Sequence, residues 1–148
     1  MPPSEKARAA FRARQSRLAA WLGREGIAAA VLDDFEGARC GTVRWLCGQP
    51  TDAILVVFAA GRSVLVPWDV NMAAAMAEVD RVIPYADFKR SFGDAVAGVL
   101  AEAAGAGAAG APGRVEFPSR TSHLRHAELA GRLAGVEVVI RSEGLDAF

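Results

Sequence analysis

The fold is indicated most directly by residues Val43–Asp69, which read VRWLCGQPTDAILVVFAAGRSVLVPWD. The run Ala53–Phe58 is continuously apolar, rich in β-branched residues and too short for a helix, so it predicts a strand covered on both faces. Gly61 supplies the backbone freedom that a tight turn needs, and Ser63–Val66 resumes the β pattern. The two runs therefore predict an antiparallel hairpin.

The segments on either side of the hairpin extend this pattern. Pro67 should end the second strand because it has no amide hydrogen for the ladder, and Asp69 is suited to cap a helix over Val70–Glu78. Upstream, Val43–Cys47 is predicted as a further strand. Within it, Cys47 is interpreted as a small buried apolar residue and not as a metal ligand or disulfide partner.

The rest of the chain alternates between helical and extended patterns. Strands separated by single helices predict parallel neighbours joined by right-handed crossovers. The predicted fold is therefore an α/β protein, a three-layer α/β/α sandwich whose mixed sheet contains an antiparallel hairpin and parallel strands, with helices on both faces. The further predicted helices are Ser4–Glu25, a segment that Ser91 caps and that contains Phe92 to Ala103, and a segment that Thr121 or Ser122 caps and that ends at Leu133. The further predicted strands are Ile27–Leu32, Arg81–Tyr85, Arg114–Phe117 and Val136–Ile140.

Length and composition limit the classes of function. The 148 residues suit one domain over positions 1–148. Because 17 basic residues balance 17 acidic ones, the net charge does not favour nucleic acid as a partner. No segment approaches the ~20 apolar residues of a membrane span, and the first residues lack the apolar core of a secretion signal. We therefore expect a cytoplasmic protein with no membrane contact.

Few residues suggest chemistry within the chain. Asp33, Asp34 and Glu36 form a tight acidic cluster after the first predicted strand, where α/β proteins often bind ligands, so an enzyme using these acids remains an alternative. His123 and His126 share a predicted helix face but have no recognisable third ligand. We predict no catalytic residue, no metal ligand and no cofactor in this chain, and interpret these groups as a solvated turn and a helix surface.

One glycine pattern is not interpreted as a nucleotide site. The segment from Gly105 to Gly110 matches GxGxxG letter by letter. In a dinucleotide fingerprint the glycines follow a strand and open a helix, whereas here they follow a helix and precede a strand. The segment is therefore predicted to be a flexible connection.

The order of several loose motifs resembles the N-terminal domain of the creatinase, prolidase and aminopeptidase P family. A basic amphipathic first helix, Gly26-Ile27, Arg44–Gly48, Asp52–Leu55 and Leu65–Pro67 occur in that order. The resemblance implies a creatinase-type α/β/α fold with a ribonuclease H-like motif. It also implies a second, C-terminal pita-bread catalytic domain that depends on a divalent metal (Mn, Co or Zn). That domain's two aspartates, histidine and two glutamates have no match here, so we expect a domain separated from its catalytic half and inactive alone.

The resemblance further implies a homodimer in which a loop of this domain narrows the active-site mouth of the neighbouring subunit. The corresponding Gly48–Asp52 loop contains no arginine or phenylalanine that could meet a creatine-like substrate, which favours a parent enzyme acting on Xaa-Pro peptides. An open alternative is that Arg44, Trp45 and Gln49 only pack the sheet edge. The candidate interface and gating residues are Arg44, Trp45, Gly48, Gln49, Pro50, Thr51 and Asp52.

A rival hypothesis is a free-standing α/β ligand-binding or protein-interaction module that never had a peptidase partner. The reading frame after Phe148 separates the two hypotheses. A catalytic domain encoded there would support the accessory role, whereas a stop codon would support the free-standing module.

Overall fold

The structure is a computed structural model that describes residues 1–105 and 113–148. No helix within these ranges combines the length and the apolar character needed to cross a bilayer. The described elements are α1 (Glu5–Glu25), β1 (Ala29–Asp34), α2 (Gly41–Cys47), β2 (Ala53–Phe58), β3 (Ser63–Pro67), α3 (Val70–Met76), β4 (Arg81–Val82), a 3₁₀ turn (Tyr85–Phe88), α4 (Phe92–Gly105), β5 (Arg114–Phe117), α5 (His123–Ala130), β6 (Glu137–Ile140) and a second 3₁₀ turn (Leu145–Ala147).

The six strands form one mixed sheet in the order β4-β3-β2-β1-β5-β6. β2 lies antiparallel to both β1 and β3, and the hairpin register pairs Leu55 with Leu65. β4 joins β3, β5 joins β1 and β6 joins β5, each in the parallel sense. Gly61, with φ of 90°, makes the hairpin turn. The predicted hairpin and the parallel additions are therefore confirmed.

Two apolar cores lie on opposite faces of the sheet, which confirms the three-layer fold. Alternate residues of β2 contribute to each core, because successive side chains of a strand point to opposite faces. One core joins the sheet to α1, α2 and α3, with Leu18, Leu22, Leu46, Leu55, Leu65 and Ala73 among its members. The other joins it to α4 and α5, with Ile54, Val56, Val64, Phe92, Val96 and Leu129 among its members.

The segment Val43–Cys47 forms most of helix α2, so the strand predicted there is wrong. Its buried side chains are Val43, Leu46 and Cys47, a spacing of three and four residues that suits a helix face. Five residues are too few to distinguish this period from an apolar strand, and the β-branched and aromatic residues favoured the wrong alternative. Cys47 is buried, as predicted, but it lies on a helix.

Most other differences from prediction concern element ends. The first strand begins at Ala29 and extends through Asp34, because antiparallel pairing with β2 continues into the residues expected to form a turn. The strand predicted over Arg81–Tyr85 stops at Val82, and a 3₁₀ turn begins at Tyr85. Residues 106–112 of the predicted connection lie outside the described residues.

Side-chain caps lie at the starts of several helices, and those at Asp69 and Ser122 are among the caps that the sequence predicts. The Ser4 hydroxyl accepts from the Ala7 amide, and the Ser122 hydroxyl accepts from the Arg125 amide. Asp69 accepts from the third residue of α3. Each cap satisfies an amide that the first helical turn leaves without a partner.

Glu78 ties α1 to the segment that follows α3. Its carboxylate is buried and receives hydrogen bonds from Arg8, at 2.8 Å, and from Arg12. Its backbone oxygen accepts from the buried Gln15 amide at 2.7 Å, and the same amide donates to Leu46 O at 3.1 Å. α1 therefore fixes both the end of α2 and the end of α3.

This anchor predicts a specific acid sensitivity. The hydrogen bonds from Arg8 and Arg12 hold the pKa of Glu78 below its ordinary value of 4.5. Its stabilisation is therefore present above that ordinary value and is lost as the pH falls through the lowered pKa of the folded state. Glu78→Gln should lower the free energy of unfolding at pH 7 by about 1 kcal/mol or less, since its partners are partly exposed.

Urea unfolding at pH 7 and at pH 3 measures this effect. The difference in stability between the two pH values should be smaller in Glu78→Gln than in the wild type. Glu143→Gln is the matched control, because Glu143 is exposed and makes no side-chain hydrogen bond among the described residues. If the wild type and Glu78→Gln lost equal stability between pH 7 and pH 3, Glu78 would not be the source of the acid sensitivity.

Candidate functional site

The Gly48–Asp52 loop lies at the end of the sheet where β1, β3, β5 and β6 finish and β2 begins. Loops at the carboxyl ends of strands often carry the functional residues of α/β proteins, because the scaffold holds them in fixed positions. The loop joins the end of α2 to the first residue of β2.

Gly48 is the residue on which the start of the loop depends. It ends α2 with φ of 84° and donates its amide to Arg44 O at 2.8 Å. A Cβ at this position would lie 2.8 Å from Met76 O and 2.8 Å from Phe11 Cε2. Both the backbone conformation and the close approach of neighbouring atoms therefore require glycine.

Gln49 supports the loop from the inside. Its side chain is fully buried, and its Nε2 donates to Thr51 Oγ1 at 2.9 Å. Its Oε1 has no hydrogen-bond partner among the described residues. Pro50 and Thr51 are half-buried, so they form the outer surface of the loop while Gln49 is withdrawn from solvent.

Asp52 joins the end of the loop to its neighbours. Its carboxylate accepts from Arg39 Nη1 at 2.6 Å and from the Glu36 amide at 3.2 Å. Its backbone oxygen accepts from the Trp68 amide at 3.0 Å. Arg39 also lies 3.6 Å from Asp34 Oδ1, so one guanidinium links two carboxylates at this end of the sheet.

Arg44 and Trp45 lie on the outer surface of α2 and not on the loop itself. Arg44 is exposed. Trp45 contacts Phe148 edge to face with 6.3 Å between ring centroids, and the Arg14 guanidinium lies 4.8 Å from the Trp45 ring. The structure thus places Trp45 in a cluster with α1 and the last residue, whereas Pro50 and Thr51 face outward from the loop.

The acidic residues Asp33, Asp34 and Glu36 lie in different environments and do not form one site. Asp34 is buried and accepts from the Cys40 amide at 2.8 Å, whereas Glu36 is exposed. Burial raises the pKa of Asp33, and the nearby Arg125 partly opposes that shift. Throughout residues 1–105 and 113–148, no three His, Cys, Asp or Glu side chains are grouped so that they could hold a metal ion.

The predicted histidine and cysteine candidates lie apart from this loop. His123 and His126 are exposed on α5. Cys40 and Cys47 are buried thiols without a disulfide. Burial raises the pKa of Cys47 to about 11, so its thiol is protonated at neutral pH and is a poor nucleophile.

Sequence analysis missed an aromatic pair beside the loop. Trp68 and Tyr85 stack with 3.9 Å between ring centroids and an interplanar angle of 24°. Trp68 remains 40% exposed, and Arg90 borders the same concave surface. Trp68 directly follows Pro67, the predicted end of a strand. That position in the sequence could have located Trp68 at the carboxyl end of the sheet. Its stacking on Tyr85 depends on the parallel addition of β4.

These elements define an α/β/α domain with a closely packed, hydrogen-bonded loop at the carboxyl end of its sheet. The chain belongs to the Creatinase/Prolidase N-terminal domain family, whose model matches residues 14–147. The family resemblance inferred from the sequence is therefore confirmed. No curated protein sequence matches the chain.

Solved structures with the same fold include several peptidases and isolated domains of peptidases. An Xaa-Pro aminopeptidase from Streptococcus pyogenes is 19% identical with a TM-score of 0.68, covering 94% of this chain and 97% of that one. The Creatinase/Prolidase N-terminal domain of an X-Pro dipeptidase from the same organism is 14% identical with a TM-score of 0.65, covering 93% and 99%.

One longer solved structure matches this chain over only part of its own length. Dipeptidase PepE from Mycobacterium ulcerans is 21% identical with a TM-score of 0.63, over 89% of this chain but only 34% of the PepE chain. The domain thus spans about a third of that protein. At these identities the comparison shows a shared fold.

The geometry of Gly48 predicts the result of a paired substitution. Gly48→Ala should destabilise the domain by about 2 to 4 kcal/mol, because a clash with backbone and ring atoms adds to the strain of a positive φ. Gly61→Ala is the matched control, since Gly61 has a similar φ of 90° but nothing within 4 Å of the added Cβ. It should cost only about 1 to 2 kcal/mol. Denaturant unfolding of both variants measures the difference in the free energy of unfolding. Equal losses of stability would show that the atoms around Gly48 move aside for a methyl group, which would contradict the prediction.

Proposed function

We propose that this chain is the non-catalytic N-terminal domain of an Xaa-Pro dipeptidase- or aminopeptidase-type metallohydrolase. In this role it assembles a homodimer and narrows the entrance to the neighbouring subunit's active site. The membership of the chain in the Creatinase/Prolidase N-terminal domain family supports this proposal. The partial coverage of longer peptidases, 34% in the case of PepE, supports a further, catalytic domain in the same protein.

The observation that carries the gating role is the close packing of the Gly48–Asp52 loop against its neighbours. Gly48 is packed against backbone and ring atoms, Gln49 is fully buried, and Asp52 is held by Arg39. Pro50 and Thr51 are half-buried and form the outer surface of the loop. A loop that excludes long substrates must keep its shape when a substrate arrives. Because this loop is already held in one conformation, no conformational entropy has to be lost to order it on binding.

The divalent metal of the proposed enzyme, Mn, Co or Zn, belongs to the catalytic domain in this proposal. The described residues of this chain offer no metal-binding group of three side chains. When bound, the metal would polarise the substrate carbonyl and supply an activated water. This domain would contribute only the shape of the entrance, which excludes long substrates. We propose the cytoplasm as the location of the whole enzyme.

The composition of the loop favours peptides over creatine-like substrates. Residues 48–52 contain no arginine or lysine to meet a substrate carboxylate, and Arg39 is already paired with Asp52. Pro50 instead offers an apolar surface of fixed conformation. A gate built in this way would select by size, so we propose short Xaa-Pro peptides as the substrates.

The reading frame beyond codon 148 gives the first test. We expect it to continue into a domain that carries two aspartates, one histidine and two glutamates as metal ligands. A stop codon directly after Phe148, with no such domain encoded nearby, would overturn the proposal in favour of a free-standing interaction module.

The gating role predicts a change in selectivity in the enzyme that contains both domains. The double variant Pro50→Gly/Thr51→Gly should raise the ratio of kcat/KM for an Xaa-Pro tripeptide to that for the dipeptide by about tenfold, which corresponds to about 1.4 kcal/mol. The reason is that a flexible loop excludes the longer peptide less effectively. Ala59→Gly/Ala60→Gly is the matched control, because it adds two glycines to the hairpin turn at the opposite end of the sheet. A ratio that responds equally to both double variants, or to neither, would contradict gating by this loop.

A further inference from the structure

Among the described residues, β6 is the last strand of the sheet, and one of its edges has no strand partner. Its only strand partner among the described residues is β5. The Glu137 amide donates to Gly113 O at 2.8 Å, so the backbone of Glu137 faces β5. Because the direction of backbone groups alternates along a strand, the amide and carbonyl of Val139 also face β5, whereas those of Val138 and Ile140 face outward.

This edge lacks the proline and the lysine that often keep edge strands from pairing between molecules, and its charged residues lie only at its start and just beyond its end. β6 reads EVVI, with no proline, no lysine and no bulge. Ile140 is 37% exposed on the edge strand. The opposite edge of the sheet is β4, which is only two residues long. β6 is therefore the edge better suited to bind another strand.

The sequence around β6 is complementary to itself in one antiparallel register. A two-fold axis at Val139 places Val138 opposite Ile140 of a second copy, so that their outward amides and carbonyls form a hydrogen-bonded pair in each half. The same register places Glu137 opposite Arg141 of the second copy. Opposite charges that face each other across strands stabilise the pairing.

Both charged side chains are held close to the edge within each copy. Arg141 donates to the buried Glu116 at 2.9 Å, lies 2.9 Å from a Glu25 carboxylate oxygen and lies over the Trp21 ring at 5.6 Å, yet its side chain remains 37% exposed. Glu137 lies 3.2 Å from Arg114, and its side chain is 62% exposed. Little side-chain freedom would therefore be lost when Arg141 meets Glu137 of a second copy.

We propose that β6 pairs antiparallel with β6 of a second copy about Val139, which joins the two sheets into one continuous sheet. The inference rests on the assembly part of the proposed function, and it names the surface that would serve it. β6 lies three strands away from β2 in the sheet order, so the edge and the Gly48–Asp52 loop can be altered independently. Because one short strand from each copy forms the contact, we expect a dissociation constant of about 1 to 100 μM.

Sedimentation equilibrium of the 148-residue chain over a range of concentrations tests the dimer. Ile140→Lys should weaken it at least about tenfold, because a lysine at the edge opposes pairing with a second copy. Leu124→Lys is the matched control, since it places the same charge at an apolar residue that is 80% exposed on α5. A second variant, Glu137→Arg, should weaken the dimer by opposing Arg141 of the second copy, and circular dichroism verifies that each variant is folded.

Amide hydrogen exchange locates the contact directly. As the protein concentration rises, the amides of Val138 and Ile140 should become protected, whereas that of Val139, already directed toward β5, should change little. A chain that stays monomeric at all concentrations would overturn the proposal. So would a dimer that is equally stable in the wild type and in Ile140→Lys.

The edge proposal and the gating proposal can fail separately. Pro50→Gly/Thr51→Gly should leave the dissociation constant of the isolated chain unchanged, because the loop is not part of the β6 contact. The edge proposal is judged by sedimentation of the isolated chain, whereas the gating proposal is judged by the change in substrate-length selectivity that the loop variant produces in the two-domain enzyme.

Discussion

The burial of β2 on both faces is the constraint on which the rest of the structure depends. All six residues from Ala53 to Phe58 are buried, and alternate side chains enter the two cores. Burying one Val, Leu, Ile or Phe side chain contributes about 1.5 to 3 kcal/mol. A strand of this kind must be covered by helices on both sides, so the three-layer arrangement follows from it.

The same packing that forms one core also holds the candidate loop. α1 contributes Leu18 and Leu22 to that core, and its Gln15 binds the backbone at the ends of α2 and α3. Phe11 of the same helix lies against Gly48. The position of the Gly48–Asp52 loop is therefore coupled to the stability of the domain, which suits a surface that acts by shape.

Prediction from the sequence succeeded where local pattern and tertiary packing agree. The apolar run of β2, the turn at Gly61 and the cap at Asp69 were all predicted, and each is observed. The prediction failed at Val43–Cys47, because five residues do not distinguish a buried helix face from a strand. The loop was located from the family resemblance, whereas the withdrawal of Gln49 from solvent and the Arg39–Asp52 pair required the structure.

The sequence by itself determined the layered α/β class, the hairpin and the family, because these depend on hydrophobic period, turn residues and motif order, which are local properties of the chain. Only the tertiary structure decided which residues meet at the carboxyl end of the sheet. Trp68 stacks on Tyr85, and Arg39 links Asp34 to Asp52, through contacts between separate elements. The position of β6 at the edge of the described sheet was likewise decided by strand order, since an extended pattern does not reveal which neighbours a strand will have.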